Sequence, residues 1–282
     1  MLEFLTQPAG FDIGETGLLV YDATQPLWRA LLVGLGNTLR VALPAMFAAT
    51  LLGLSLALMR RARYAGARVL STVCVELVRN VPLLLQLLIW YFVLVDWLPD
   101  TTEALHPLPG IWLSKGGLNV PWPLAGESGW SWSLPVMDGF AISGGAAITP
   151  EYLALFLALT VYTAAFMSEV IRSGLEAVPR SLAEAAETLG ARPAQVFWKV
   201  VLPQALRTIV PAMTNQFLNL TKNSSLAVAV GYPDLVSVGN TAMNQTGRAI
   251  ECVSVMMVVY LGLSLLTSGL MNWFNARQAL KG

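Results

Sequence analysis

The chain has 282 residues, of which 55% are hydrophobic and only 12% are charged. This composition excludes an ordinary soluble domain, and a net charge of zero leaves no overall field that would attract nucleic acid. The two cysteines fall in apolar runs without metal-ligand spacing around them. We therefore predict that Cys74 and Cys252 are buried, unreactive thiols and that the chain has no metal site.

Residues 1–26 carry only acidic charges, namely Glu3, Asp12, Glu15 and Asp22. A secretory signal would begin with basic residues and continue into an apolar core, and this segment does neither. It is predicted to be a short external tail, followed by a transmembrane domain over residues 27–282.

Five apolar stretches follow the tail. They are approximately Leu27 to Met59, Val69 to Val95, Tyr152 to Ile171, Ile209 to Val230 and Cys252 to Phe274. Each reaches the ~20 residues that a helix needs to cross a bilayer core of ~30 Å. Because lipid cannot form hydrogen bonds with backbone N–H and C=O groups, each stretch is predicted to be a helix, in which those groups bond to one another. The sequence therefore predicts an all-α integral membrane protein with five transmembrane helices.

Basic residues are concentrated in alternate connections between these stretches. The first connection holds Arg60, Arg61, Arg63 and Arg68, and the third holds Arg172, Arg180, Arg192, Lys199 and Arg207. The second connection has only Lys115, the fourth has only Arg248, and the C-terminal tail carries Arg277 and Lys281. Because positive loops stay in the cytoplasm, we predict an external N-terminus, a cytoplasmic C-terminus, an external insertion at 96–151 and a cytoplasmic loop at 172–207.

The cytoplasmic loop is charged and has the signals of two short helices. Ser181 and Glu184 open an Ala- and Leu-rich run that Gly190 ends, and Pro193 opens a second piece. Such a segment forms a rigid surface for docking a partner. An ordinary helical loop lying on the membrane is the alternative that helicity alone would favour.

The spacing within this loop is specific. Glu184-Ala185-Ala186 is followed after three residues by Gly190, after nine more by Val200, and after one more by Leu202-Pro203. This spacing resembles the EAA loop of permease subunits of ABC importers, with Val200 in place of the usual isoleucine. The resemblance implies the type I permease fold of that family and a contact between this loop and a partner ATPase.

By the same resemblance, the small Ala185 and Ala186 let the first helix seat closely in the ATPase, and Gly190 makes the bend between the two helices. Glu184 would be available to pair with a basic residue of that partner. Without the resemblance, Glu184 is simply a favourable acidic residue in the first turn of a helix.

Two further segments extend the resemblance over nearly the whole chain. The run from Glu76 to Gln86 is similar to the signature of polar amino-acid permeases, and the run from Thr221 to Leu226 has a counterpart there too. The Asn215 to Asn244 region, the insertion residues Ser114 to Leu118 and the closing residues Asn272 to Asn275 all look related to the general L-amino-acid permease subfamily, which the chain most resembles. This likeness implies amino-acid cargo.

Charged and amide groups within the apolar stretches are candidate cargo contacts. A charge at mid-membrane costs about 2.5–3.5 kcal/mol on insertion scales, so Arg79 and Glu169 need a partner or a cavity. An amino acid has one ammonium and one carboxylate, so we predict Glu169 for the ammonium, Arg79 and Asn80 for the carboxylate and Leu87 for apolar contact.

Pro82 supports this assignment, since it disturbs the helix where Asn80 and Gln86 present their amides. Helix packing, gating and a local Glu76–Arg79 pair remain open as alternatives. In the fourth stretch, Lys222, Asn223 and Ser224 are predicted to stabilise an irregular break near the subunit interface or an outer gate.

The sequence contains no phosphate-binding loop, so ATP and Mg²⁺ are expected in a partner ATPase dimer and no cofactor is expected in this chain. By resemblance, the chain is a bacterial inner-membrane, multi-pass subunit surrounded by lipid, which works by alternating access with a second related permease. The subfamily favours a heterodimer over a homodimer. A periplasmic solute-binding protein would deliver the amino acid.

The insertion rich in Pro, Gly and Trp has two open roles. It either covers the outer face with interfacial aromatics or docks the solute-binding protein. Alternatives for the whole chain are an ABC permease for another small polar solute and an ion-coupled secondary transporter, although the internal repeats usual in secondary transporters are not seen.

Overall fold

The computed structural model describes residues 3–17, 19–126 and 129–279, and its framework is helical. Within that part of the chain, three helices are long and apolar enough to cross a membrane: α1 (Leu27–Arg60), α4 (Pro150–Glu176) and the Ala249–Trp273 portion of α9 (Ala249–Ala279). A bent pair, α2 (Ala65–Asn80) and α3 (Leu83–Phe92) with its π-helical continuation Val93–Trp97, counts as a fourth. The fourth span predicted from the sequence, which corresponds to α7 (Leu202–Asn223), does not meet the same criterion.

Small residues let α1 lie close against α4 in the centre of the fold. Ala45, Ala49 and Gly53 of α1 and Ala164 of α4 are all buried. A Cβ atom added at Gly53 would lie 2.8 Å from the Cβ of Met167 and 3.0 Å from the carbonyl oxygen of Ala164. The glycine therefore sets the separation of the two helices.

We expect Gly53→Ala to lower the thermal unfolding midpoint of the detergent-purified chain, because overpacking a core costs about 1–3 kcal/mol. Gly36→Ala is the matched control on the same helix, since among the described residues its added Cβ has only Leu19 Cδ1 nearby, at 3.9 Å. Replacing a helical glycine where there is space stabilises by roughly 0.5–1 kcal/mol, so this control should not lower the midpoint. Equal midpoints for the two variants would contradict close packing at Gly53.

The second predicted span is broken at Val81-Pro82, as its proline indicates. Helices α2 and α3 meet there at 104°. The amide nitrogen Nε2 of Gln86 donates to the carbonyl oxygens of Val78 and Val81, at 2.8 Å each. Gln86 thus satisfies carbonyl groups that the break removes from the helical ladder.

The insertion contains antiparallel strands, so the all-α prediction is wrong for this segment. The strands are β1 (Leu105–Leu108), β2 (Ile111–Ser114), β3 (Gly117–Val120), β4 (Trp122–Gly126), β5 (Gly129–Ser133), β6 (Val136–Asp138), β7 (Ala141–Ser143) and β8 (Ala146–Ile148). They form one sheet in the order β1-β2-β3-β8 and the hairpins β4-β5 and β6-β7. Glycines with positive φ, such as Gly139 at +64°, make the tight turns that separate strands too short to show a clear alternating pattern.

After α4, the chain forms α5 (Arg180–Thr188) and α6 (Pro193–Val196), and α6 continues through a π-helical turn, Phe197–Val201, into α7. Helix α7 ends at Asn223 and is followed by a 3-10 helix, Ser224–Val230, which confirms the predicted irregular break. Helix α8 (Leu235–Thr246) was missed in the sequence. Its first turn is capped by the side chain of Asp234, which accepts from the Ser237 N–H at 2.9 Å.

The N-terminal segment packs against the helices. Phe4 and Ile13 are buried in a cluster with residues of α1, α8 and α9. Glu15 forms an ion pair with Arg40 of α1, and its carboxylate also accepts from the Thr149 hydroxyl at 3.0 Å. The segment therefore ties α1 to the start of α4.

Of the two cysteines, Cys252 is buried as predicted, whereas Cys74 is exposed. The prediction was wrong for Cys74 because an apolar helix in a membrane can turn any of its faces outward, so hydropathy alone does not identify the buried one. The positive charge of Lys281 lies outside the described residues.

Candidate functional site

The loop between α4 and α7 consists of the exposed helix α5 and a second half that packs against the rest of the protein. Glu184, Ala185 and Gly190 are exposed, and no described residue of α5 is buried. Gly190 has φ +85°, a left-handed conformation in which side chains are strained. Its N–H donates to the Glu187 carbonyl at 2.9 Å, and the Ala191 N–H donates to the Ala186 carbonyl at 3.1 Å, so the turn closes the end of α5.

The second half of this loop is structurally continuous with a long helix. Leu202 and Pro203 open α7 directly after the π-helical turn, and the Phe197 ring packs on a buried cluster formed by α1, α4 and α7. Gly174 of α4 makes room for Ile209 of α7, whose side chain would collide with an added Cβ. The second half of the loop is therefore packed against α7 and the base of α4.

An ion-pair cluster lies at the base of the same region. A carboxylate oxygen of Glu169 accepts from Arg60 at 2.7 Å, and the carboxylate also pairs with Arg172. Arg172 reaches Glu176 at 2.5 Å as well. Because the side chain of Arg60 is only 12% exposed, Glu169 neutralises a largely buried charge.

The five predicted cargo contacts fall into separate environments. Asn80 donates to the Glu76 carbonyl at 2.7 Å, and Leu87 is 1% exposed within the apolar core. Gln86 is engaged at the helix break and Glu169 in the ion-pair cluster. Arg79 is the least engaged of the five.

Arg79 has weak partners. Its Nη1 lies 3.8 Å from a Glu76 carboxylate oxygen, and its guanidinium carbon lies 5.2 Å from the centre of the Phe166 ring. The Nε atom is buried without a hydrogen-bond partner in the described part of the chain. The pair with Glu76 foreseen as an alternative is therefore present, but it is long.

Phe166 also lines a polar cavity of about 310 Å³ between α4 and α7. Its lining consists of Tyr162, Thr163, Phe166, Gln216, Asn219, Leu220 and Asn223. The amides of Gln216, Asn219 and Asn223 follow the spacing i, i+3, i+7, so they share one helix face. This stripe was readable in the sequence, but only Asn223 was singled out there.

The three residues predicted at a gate do not share one site. Asn223 faces the polar cavity, whereas Lys222 lines an apolar cavity of about 510 Å³ with Tyr260 and other residues of α8 and α9. Ser224 is buried and its hydroxyl donates to the Thr221 carbonyl at 2.7 Å. The break is thus stabilised by Ser224, while its two neighbours face different cavities.

Asp234 lies in the connection between the 3-10 helix Ser224–Val230 and α8. Burial raises the pKa of its carboxyl group to about 6, against the opposing effect of the Ser237 N–H. Within the described residues, no group of three or more His, Cys, Asp or Glu side chains could hold a metal ion.

Comparison with known proteins identifies the family. Residues 49–280 match the family described as binding-protein-dependent transport system inner membrane component. The chain belongs to this family. It is therefore a multi-pass inner-membrane subunit of an ABC transporter, in which ATP is hydrolysed by a separate subunit and a solute-binding protein is a partner.

Curated relatives match along almost the whole chain. The general L-amino acid transport system permease protein AapQ of Rhizobium johnstonii is 38% identical over 98% of this chain and 83% of its own. The putative amino-acid ABC transporter permease protein YhdX of Escherichia coli is 37% identical, covering 98% and 85%. The glutamate/glutamine/aspartate/asparagine transport system permease protein BztB of Rhodobacter capsulatus is 34% identical, covering 99% and 85%.

Solved structures show the same permease fold. A chain from the crystal structure of an amino acid ABC transporter with histidines superposes with a TM-score of 0.65 at 25% identity, over 88% of this chain and 94% of that one. A chain from the inward-facing MetNI methionine ABC transporter gives a TM-score of 0.58 at 20% identity, over 89% and 97%. The type I ABC permease fold is confirmed.

Proposed function

We propose that this chain is the permease subunit of an importer that moves L-amino acids from the periplasm to the cytoplasm by alternating access, driven by ATP hydrolysis in a partner. The observation that carries the importer mechanism is the exposed helix α5 with its Glu184-to-Pro203 spacing, joined through α6 to α7. The cargo is supported by the three curated relatives, whose names all refer to amino-acid transport.

The proposed coupling begins at α5. Ala185 and Ala186 leave room for α5 to seat in a groove of the ATPase, Glu184 pairs with a basic residue there, and the Gly190 turn fixes α5 relative to α6. Leu202 and Pro203 begin the helix that carries the movement into the membrane. Because α5 has no buried residue of its own, it is available for this contact.

The proposed assembly contains an ATPase dimer, a periplasmic solute-binding protein, surrounding lipid and a second permease. Helix α9 carries an apolar surface that fits a contact with lipid or with the second permease, because Met257, Leu261 and Leu265 are each more than half exposed. A related but different chain is proposed as the second permease. The proposed topology has five spans, with α7 as the fourth, an external N-terminus and a cytoplasmic C-terminus.

Arg79, Asn80, Gln86, Leu87 and Glu169 remain proposed cargo contacts. For Gln86 and Glu169 this role requires that their present hydrogen bonds and ion pairs be exchanged during the transport cycle. Lys222, Asn223 and Ser224 remain proposed gate or interface residues. The external insertion stays proposed as an outer cover or as a docking surface for the binding protein.

The test is reconstitution of the permease pair and the ATPase into liposomes. The binding protein is supplied at the periplasmic face of the permease and ATP at its cytoplasmic face. We expect uptake of radiolabelled L-amino acids only when ATP and the loaded binding protein are both present, with stimulated ATP hydrolysis. Uptake driven by an ion gradient without ATP would favour a secondary transporter instead. Recovery of the permease without any ATPase after gentle extraction would also count against the proposal.

A further inference from the structure

A second polar pocket, of about 430 Å³, lies where the end of α1 meets the end of α4 and the start of α5. Its lining combines apolar side chains, such as Leu175 and Val178, with two cations, Arg61 and Arg180. The volume is within the range of about 300–1,000 Å³ that is typical of ligand sites. None of the residues proposed above for ATPase or cargo contact lines this pocket, so its cations need a separate explanation.

The charges around this pocket leave both cations unpaired. Glu176, the acidic residue of the lining, pairs with Arg172 at 2.5 Å. In the described part of the chain, neither Arg61 nor Arg180 forms an ion pair or a side-chain hydrogen bond. The start of α5 adds to the positive potential, because its N-cap residue, Pro179, makes no side-chain hydrogen bond to the first turn. The pocket therefore favours an anion.

An exposed apolar stripe on α1 leads to this pocket. Leu51, Leu54 and Leu58 are 51%, 42% and 54% exposed. Together with Arg61 they follow the spacing i, i+3, i+7, i+10, which places them on one side of the helix. At 1.5 Å per residue the stripe is about 15 Å long, which is half of a hydrocarbon core of ~30 Å. It thus has the length of one lipid leaflet, with a cation at the level where a headgroup lies.

We propose that Arg61 and Arg180 bind the phosphate group of an anionic phospholipid of the cytoplasmic leaflet, whose acyl chain lies along the α1 stripe. A guanidinium group donates two parallel hydrogen bonds to a phosphate, and basic pockets beside membrane helices on the cytoplasmic side suit such headgroups. An anionic lipid balances the two cations better than a zwitterionic one, which brings its own positive charge. The bound lipid would connect the end of α1 to the start of α5. The proposal rests on the cytoplasmic placement of this loop in the proposed topology.

Lipid binding to the complete, delipidated permease–ATPase complex in detergent tests the proposal. The probes are dioleoylphosphatidylglycerol, which is anionic, and dioleoylphosphatidylcholine, which is zwitterionic. The native complex should bind the anionic lipid more tightly. Arg61→Gln and Arg180→Gln should each weaken that binding about fivefold, as expected for one basic residue near an anionic headgroup. The matched control is Arg63→Gln, because Arg63 is exposed on the same connection but does not line the pocket, and its variant should bind as the native complex does.

Two further probes separate a lipid from a soluble anion. Excess inorganic phosphate should not displace the dioleoyl lipid, and dihexanoylphosphatidylglycerol should bind more weakly because its short chains cover little of the stripe. Displacement by phosphate, or equal affinity for the short and long chains, would overturn the proposal. Equal loss in Arg61→Gln and Arg63→Gln, or no preference of the native complex for the anionic lipid, would do the same.

A reversal of preference excludes misfolding as the cause of lost binding. Replacing both Arg61 and Arg180 with glutamate should make the complex bind the cationic lipid dioleoyl-trimethylammonium-propane in preference to the anionic one. An unchanged preference for the anionic lipid in this double variant would refute the site.

Uptake by the native complex separates this proposal from the proposed function. If liposomes with anionic lipid support ATP-dependent amino-acid uptake but the complex shows no preference for that lipid, the lipid site fails and the importer assignment stands. If the complex binds the anionic lipid through both arginines but moves no amino acid, the proposed function fails and the lipid site stands.

Discussion

Replacing Glu184 with lysine should reduce ATP-dependent amino-acid uptake at least about 30-fold, because reversing one charge of a docked pair removes about 2 kcal/mol or more of contact energy. Stimulation of ATP hydrolysis by the loaded binding protein should fall with it. The thermal unfolding midpoint of the isolated permease should stay unchanged, since Glu184 is exposed and surface substitutions usually alter stability by less than about 0.5 kcal/mol.

The control for this experiment is Glu187→Lys. Glu187 is also a glutamate and is exposed on the same helix, but it occupies one of the unspecified positions of the Glu184-to-Pro203 spacing. Its lysine variant should retain most of the uptake. Native uptake in Glu184→Lys would remove this residue from the proposed ATPase contact, and equal loss in both variants would indicate a general charge requirement instead of a specific pair.

Replacing Glu169 with glutamine should lower the thermal unfolding midpoint markedly. The substitution leaves Arg60 and Arg172 without their shared carboxylate, and uncompensated removal of one partner from a buried pair costs about 3–5 kcal/mol. The side chain of Glu169 is 25% exposed, which places the expected loss at the lower end of that range, about 3 kcal/mol. Thermal unfolding of the detergent-purified chain provides the measurement.

Glu176→Gln is the matched control, because Arg172 is the one ion-pair partner of Glu176 among the residues that the structure describes, and the Glu176 side chain is 55% exposed. An exposed pair contributes about 0–1 kcal/mol, so the control midpoint should barely change. Adding Arg60→Gln to Glu169→Gln should recover part of the lost stability. A native midpoint in Glu169→Gln combined with lost uptake would instead support the sequence-based assignment of Glu169 to the cargo ammonium.

Local chemistry made several structural features predictable from the sequence. Pro82 cannot donate a backbone hydrogen bond, so the break in the second span was foreseeable. The EAA-like spacing and Gly190 likewise indicated a helix, a turn and a second helix before α7. The irregular segment after Asn223 followed from a cluster of polar residues inside an apolar run.

Features that depend on tertiary contact were not predictable in the same way. The partners of Glu169 include Arg60, which is 109 positions away along the chain, so only the fold could reveal their pairing. The strands of the insertion are at most five residues long, too short for a convincing alternating pattern. By contrast, the stripe of Gln216, Asn219 and Asn223 is a periodicity of the sequence itself, but an uncharged amide in an apolar run is a weaker signal than a charge because it costs less to place in a membrane.

The exposed thiol of Cys74 offers a spectroscopic handle that needs no engineered cysteine. Cys252 is buried, so a membrane-permeant thiol-reactive fluorophore or spin label should attach to Cys74 in preference to Cys252 in the folded chain. The labelled position lies on α2, two turns before the 104° bend at Val81-Pro82. A probe there would record in real time whether the angle between α2 and α3 opens and closes with each round of ATP hydrolysis.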